Sequence, residues 1–126
     1  MTWTLALAVA AGGAIGAPVR YLIDSRVTRA AQERGYGLFP WGLLVVNVLG
    51  SFIIGIAYVT LEGPGRVLIA TGSCGALTTY SSYALFVNRV WKEHRVRAWK
   101  SIFVMPVACI GAAGIAVFVT RALTGT

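Results

Sequence analysis

Long apolar stretches alternate along the chain with short polar connectors. Four mostly apolar stretches lie at about residues 3–24, 39–61, 66–90 and 101–123. Each is as long as the roughly 20 apolar residues that a helix needs to cross a bilayer. The pattern therefore predicts an all-α membrane protein with four transmembrane helices, forming a single domain over residues 1–126.

Composition supports a membrane protein rather than a soluble enzyme. Hydrophobic residues make up 57% of the chain and charged residues only 12%, with a mean hydropathy of +0.75. Cys74 and Cys109 both lie inside apolar stretches, without the spacing of a metal site or a disulfide framework. A cleaved signal peptide is disfavoured for the first stretch, because no basic segment precedes it.

The basic residues predict an orientation in the membrane. The net charge is +7, which in a soluble chain would suggest a nucleic-acid partner, but the charges lie in the connectors. The two long connectors carry eight Lys and Arg residues, against two on the opposite side of the membrane. The positive-inside rule then predicts cytoplasmic connectors and external termini. We therefore expect contact with lipid headgroups and no nucleic-acid partner.

Six consecutive hydrogen-bonding side chains occupy the centre of the third stretch. They are Thr78, Thr79, Tyr80, Ser81, Ser82 and Tyr83. At 100° per residue, six residues circle a helix completely and do not fit on one protected face. Gly72 and Gly75 precede this polar run, so we expect a helix break in mid-membrane, where freed carbonyls can coordinate a cation. In the alternative interpretation, the hydroxyls bond to carbonyls of their own helix and the tyrosines pack against neighbouring helices.

Asn47 is the second polar position inside a predicted span, and it is compatible either with helix packing or with an ion path. The four carboxylates lie at helix ends or in connectors: Asp24, Glu33, Glu62 and Glu93. A proton-coupled exporter normally keeps an acid inside the membrane, so this class is disfavoured. Neutral donors, aromatic ring edges and Arg20 near a mouth favour a passive path for a small anion.

Three blocks of sequence resemble the Fluc (CrcB) family of fluoride channels, over essentially the whole chain. They are GAIGAPVRY at residues 13–21, FPWG with Asn47 and GSF at residues 39–52, and GALTTYSSY at residues 75–83. The resemblance implies a passive channel of the bacterial plasma membrane that exports cytoplasmic fluoride and so reduces its toxicity. It also implies an antiparallel dimer of four-helix subunits with two pores.

The resemblance assigns roles to individual residues. A structural sodium ion (Na+), not transported, would be held at the dimer centre by the backbone carbonyls of Gly75 and Thr78 from both subunits. Arg20 would lie in a vestibule. The implied fluoride path combines an amide, two hydroxyls and two rings, supplied by Asn47, Ser81, Ser82, Tyr80 and Tyr83.

The chain also departs from the family pattern. Tyr80 and Tyr83 stand where the family has phenylalanines, and each adds a hydroxyl that needs a partner. The fourth stretch offers only Ser101, Cys109 and Thr120 where the family usually has a tyrosine and serines. Because the fourth stretch has so few polar side chains, an alternative function stays open: a non-conducting partner subunit of a heterodimeric channel. Together with the charge bias, this scarcity also leaves open whether the antiparallel partner is a second copy or an oppositely oriented paralogue.

Overall fold

A computed structural model describes residues 2–125, and within that range every regular element is helical. The elements in chain order are α1 (Trp3–Glu33), α2 (Trp41–Thr60), α3 (Gly63–Arg66), a π-helical segment (Val67–Ser73), α4 (Cys74–Leu77), α5 (Ser81–Glu93) and α6 (Arg95–Thr124). The all-α prediction is confirmed. Three helices, α1, α2 and α6, are long and apolar enough to cross a membrane.

The first and last helices extend beyond their apolar stretches. Helix α1 continues through the charged connector to Glu33, and the chain then turns at Gly35, which has a φ of 80°. Helix α6 begins at Arg95, immediately after His94, before its apolar stretch starts. Backbone hydrogen bonds do not require apolar side chains, so these helices continue where hydropathy falls.

The third apolar stretch is divided into shorter elements. Helix α3, the π-helical segment and α4 follow one another directly, and the backbone leaves the helix at Thr78, where φ is −79° and ψ is 156°. Residues 78–80 are non-helical, and helix α5 begins at Ser81. These three residues, called the interruption below, lie inside the polar run.

Glycines allow α1 to pack closely against the π-helical segment. A Cβ atom on Gly12 would overlap the Leu68 carbonyl, and one on Gly16 would overlap the Ser73 carbonyl. From the other side, a Cβ on Gly72 would lie 2.9 Å from the Val9 carbonyl oxygen. Small residues permit this backbone-to-backbone approach in membrane helices. The contact holds the interrupted stretch against α1.

Helix α2 lies between α1 and α6 and also contacts α4. At Gly55 it lies close to α6, because a Cβ atom there would be only 2.7 Å from the Ala113 carbonyl oxygen. Many large apolar residues remain exposed on α6, among them Ile110, Phe118 and Leu123 at 72%, 75% and 82%. An outward apolar surface of this kind is suited to lipid or to another subunit.

Candidate functional site

The side chain of Asn47 pairs with the backbone of the interruption. Its Oδ1 accepts a hydrogen bond of 2.7 Å from the Thr79 amide, and its Nδ2 donates one of 3.1 Å to the Thr79 carbonyl. Both residues are buried, with 7% and 9% of their surfaces exposed. Buried backbone groups need partners, and one residue of α2 here serves both groups of Thr79. Asn47 therefore ties α2 to the interruption.

Two backbone carbonyls at the interruption lack their helical hydrogen bonds. In a continuous helix, the Thr79 amide would bond to the Gly75 carbonyl and the Ser82 amide to the Thr78 carbonyl. Instead, the Thr79 amide donates to Asn47, and the Ser82 amide donates to the Thr79 hydroxyl at 3.3 Å. The carbonyls of Gly75 and Thr78 are thus free of the amides that would otherwise occupy them.

The Thr79 hydroxyl is the centre of a small cluster. It donates to Ser82 Oγ at 3.1 Å and lies 3.4 Å from Ser81 Oγ. The Thr78 hydroxyl behaves differently, because it bonds back to the Cys74 carbonyl at 2.9 Å. Sequence reasoning did not single out Thr79 as a site residue. The polar run contains Thr79, but the sequence does not show which way its side chain faces.

The two tyrosines lie in different surroundings. Tyr83 is buried, and its hydroxyl donates to the Ser101 carbonyl of α6 at 3.3 Å. Tyr80 is 79% exposed on the surface of the chain. Their ring centroids are 5.9 Å apart in an edge-to-face arrangement, with an interplanar angle of 61°. The hydroxyl added at position 83 has therefore found a partner, which also holds its ring against α6.

A groove of about 370 Å³ opens beside the interruption. Its lining comes from α2, the interruption, α5 and α6, and includes Asn47, Ser51, Thr78, Thr79, Tyr80, Tyr83, Met105, Pro106 and Cys109. Helix α6 contributes no hydroxyl to this lining. The groove is open towards the outside of the chain, so this chain alone does not enclose it.

A second cavity, of about 490 Å³, adjoins the first along α5. Tyr80 and Tyr83 line both cavities, so the edge-to-face tyrosine pair lies between them. Of the other predicted site residues, Asn47 lines the first cavity, whereas Ser81, Ser82 and Arg20 line neither. Ser81 and Ser82 reach the site through the Thr79 hydroxyl.

Comparison with known proteins identifies the family. Residues 7–120 match the sequence profile described as CrcB-like protein, Camphor Resistance (CrcB). The chain belongs to the CrcB family. The predicted family is confirmed. This CrcB protein is a multi-pass protein of the bacterial plasma membrane, in agreement with its three long apolar helices.

Relatives of this CrcB chain carry names that describe a channel. It is 36% identical to the fluoride-specific ion channel FluC 1 of Frankia casuarinae, over 99% of this chain and 100% of that protein. It is 38% identical to the fluoride-specific ion channel FluC of Hahella chejuensis, over 90% of this chain and 91% of that protein. Its identity to the FluC protein of Aeromonas salmonicida is 47%, over 67% of this chain and 66% of that protein.

Proposed function

We propose that this protein is a subunit of a fluoride-selective channel, through which fluoride leaves the cytoplasm passively and its toxicity falls. The observation that carries the proposal is the pairing of Asn47 with Thr79, which opens the helix beside an aromatic-lined groove. The relatives named fluoride-specific ion channels support the choice of ion. The protein then acts as a channel rather than as an enzyme.

In the proposed arrangement, α1, α2, α6 and the interrupted stretch from α3 to α5 form four spans. Trp41 begins α2, and an aromatic residue is typical of the membrane interface. At a rise of 1.5 Å per residue, Asn47 lies about 9 Å further along the helix axis. Since half of the hydrocarbon core is about 15 Å thick, this depth supports an interruption within the membrane.

The fluoride path in this proposal passes between the two tyrosine rings. Aromatic edges carry partial positive charge and suit a small anion, and Tyr80 and Tyr83 lie edge to face between the two cavities. Asn47, Ser81 and Ser82 supply polar groups near this path. Because the groove is open in one chain, the proposal includes a second, antiparallel subunit that closes it. Because most of the basic residues lie on one side of the membrane, that subunit is either an oppositely oriented paralogue or a second copy of this chain.

The proposal also includes a structural sodium ion between the two subunits, held by the carbonyls of Gly75 and Thr78. Both carbonyls are released from helical amides. This supports sodium binding by these groups, since neutral carbonyls suit a monovalent cation. Within residues 2–125, no group of three or more His, Cys, Asp or Glu residues forms an alternative metal site. A Cβ on Gly75 would meet nothing within 4 Å inside this chain, which leaves space for a second subunit. The ion would link the two interrupted helices.

A non-conducting partner subunit is the second candidate. The observation that favours it is the lining from α6, where Met105, Pro106 and Cys109 provide no hydroxyl along the groove. Such a chain would stabilise and orient a conducting sister subunit. The dimer would then conduct through the sister's residues alone.

Efflux from liposomes separates these functions. The purified chain is reconstituted into vesicles loaded with fluoride or chloride, and release is triggered by a potassium ionophore and followed with ion-selective electrodes. The proposed channel releases fluoride and retains chloride. Release only after coexpression with a paralogue would favour the helper function. Absence of fluoride release under both conditions would refute fluoride conduction.

A further inference from the structure

A guanidinium nitrogen of Arg97 is buried without a partner. Within residues 2–125, its Nη1 is the one buried side-chain nitrogen or oxygen that has no hydrogen bond. The Arg97 side chain as a whole is half-buried, but a buried N–H group without an acceptor costs free energy. This nitrogen therefore favours an acceptor supplied from outside the chain.

Arg97 lies in the first turn of α6, against the connector between α1 and α2. It shares a cavity of about 260 Å³ with a second cation, and aromatic and apolar side chains form the opposite wall. The residues that matter are Arg97, Lys100, Tyr36, Leu38, Phe39 and Trp41. The pocket therefore combines two positive charges with a surface suited to hydrocarbon. A small hydrated ion would use only the first of these features.

The wall of the pocket is an ordered part of the connector. Trp41 donates its indole N–H to the Tyr36 carbonyl at 3.1 Å, and its ring lies 4.8 Å from that of Phe39. Leu38 and Tyr36 are exposed by 52% and 64%, so the rim is accessible from the surface of the chain. Tryptophan and tyrosine at the ends of apolar helices are typical of the headgroup region.

We propose that this pocket binds the phosphate group of an anionic membrane phospholipid. The planar guanidinium of Arg97 suits bidentate bonding to phosphate oxygens, and Lys100 adds a point charge. The aromatic and apolar wall contacts the glycerol and upper acyl region of the same lipid. Basic pockets between membrane helices recognise lipid headgroups by this combination of charge and apolar surface. The proposal does not depend on fluoride conduction.

The test measures lipid binding through the unfolding temperature of the full chain in detergent micelles, followed by tryptophan fluorescence. Phosphatidylglycerol, phosphatidylcholine or inorganic phosphate is titrated into the sample. We expect phosphatidylglycerol to raise the unfolding temperature more than phosphatidylcholine does, with saturation. Arg97→Gln should weaken this response about tenfold or more, since it removes charge-assisted hydrogen bonds.

Arg29→Gln is the matched control, because Arg29 is exposed on α1 and lines neither of the cavities that contain Arg97. It removes the same charge and should leave the lipid response intact. Lys100→Gln serves as a second pocket variant if Arg97→Gln does not fold, and it should also weaken the response.

Three results would overturn the proposal. One is an equal response to the two phospholipids. Another is equal weakening by Arg29→Gln and the pocket variants, which would indicate general surface charge. The third is a response to inorganic phosphate that depends on Arg97 in the absence of any response to phosphatidylglycerol, which would assign the pocket to a soluble anion.

Discussion

Replacing Asn47 with alanine removes two hydrogen bonds at once from the Thr79 backbone. A buried backbone group left without a partner costs about 1–3 kcal/mol. Hydrogen bonds in membrane proteins average only about 0.6 kcal/mol, because the denatured state in a micelle also finds partners. Thr79 lines the open groove, where water can replace part of the lost bonding. We therefore expect a loss of about 1–3 kcal/mol in the free energy of unfolding.

Two further variants separate the hydrogen bonds from simple loss of volume. Ser51→Ala is the matched control, because Ser51 lies one turn further along α2 and lines the same groove. Its free energy of unfolding should change by no more than about 0.5 kcal/mol. Asn47→Asp keeps an acceptor for the Thr79 amide but places a second oxygen near the Thr79 carbonyl. This variant should be at least as destabilised as Asn47→Ala.

Equilibrium unfolding in mixed micelles of mild detergent and dodecyl sulfate, followed by tryptophan fluorescence, measures these differences. Fluoride efflux from liposomes, measured where each variant is folded, adds the functional readout. Without Asn47, no side chain of α2 holds the Thr79 backbone in place, so efflux should fall together with stability. The reasoning is refuted if Asn47→Ala unfolds like the wild type and like Ser51→Ala. Loss of efflux alone would make Asn47 a pore residue without a role in holding the interruption.

Other perturbations probe the same site. Gly50→Ala places a methyl group against the Thr78 side chain and should lower the free energy of unfolding by about 1–3 kcal/mol. The control Gly111→Ala, whose Cβ meets nothing within 4 Å, should not destabilise the protein, and equal stability of the two variants would contradict the close contact. Tyr83→Phe removes the hydroxyl that bonds to the Ser101 carbonyl, so the free energy of unfolding should fall by about 0.5–1.5 kcal/mol while fluoride efflux is retained. Complete loss of efflux at unchanged stability would instead place that hydroxyl in the proposed fluoride path. Replacing sodium by N-methylglucamine throughout purification and efflux assays should lower fluoride efflux reversibly, and insensitivity would count against the proposed sodium site.

The broad architecture follows from the sequence because hydropathy is summed over lengths that match the bilayer. The apolar stretches predicted the long helices α1, α2 and α6, and three sequence blocks predicted the family. Helix ends were harder to place, because charged residues continue α1 to Glu33 and open α6 at Arg95. Intrahelical hydrogen bonds form in the same way inside and outside the lipid, so helix ends do not mark the membrane boundary.

The polar run predicted where the third stretch would contain unusual chemistry, but not how its hydrogen bonds are distributed. A run of six polar residues does not distinguish the Thr78 hydroxyl, which bonds to its own helix, from the Thr79 hydroxyl, which joins two serines. The π-helical segment Val67–Ser73 had no separate signal, although its glycine fits tightly against α1.

What the sequence by itself determined is therefore the class of protein, its apolar helices and the position of its polar residues. The tertiary structure decided the role of Asn47, because its partner Thr79 is 32 positions away and meets it only when α2 packs beside the interruption. That pairing redirects a backbone amide and releases a carbonyl, a consequence of packing that local sequence does not encode. The open groove and the unpaired guanidinium of Arg97 have the same origin, since both arise between elements distant along the chain.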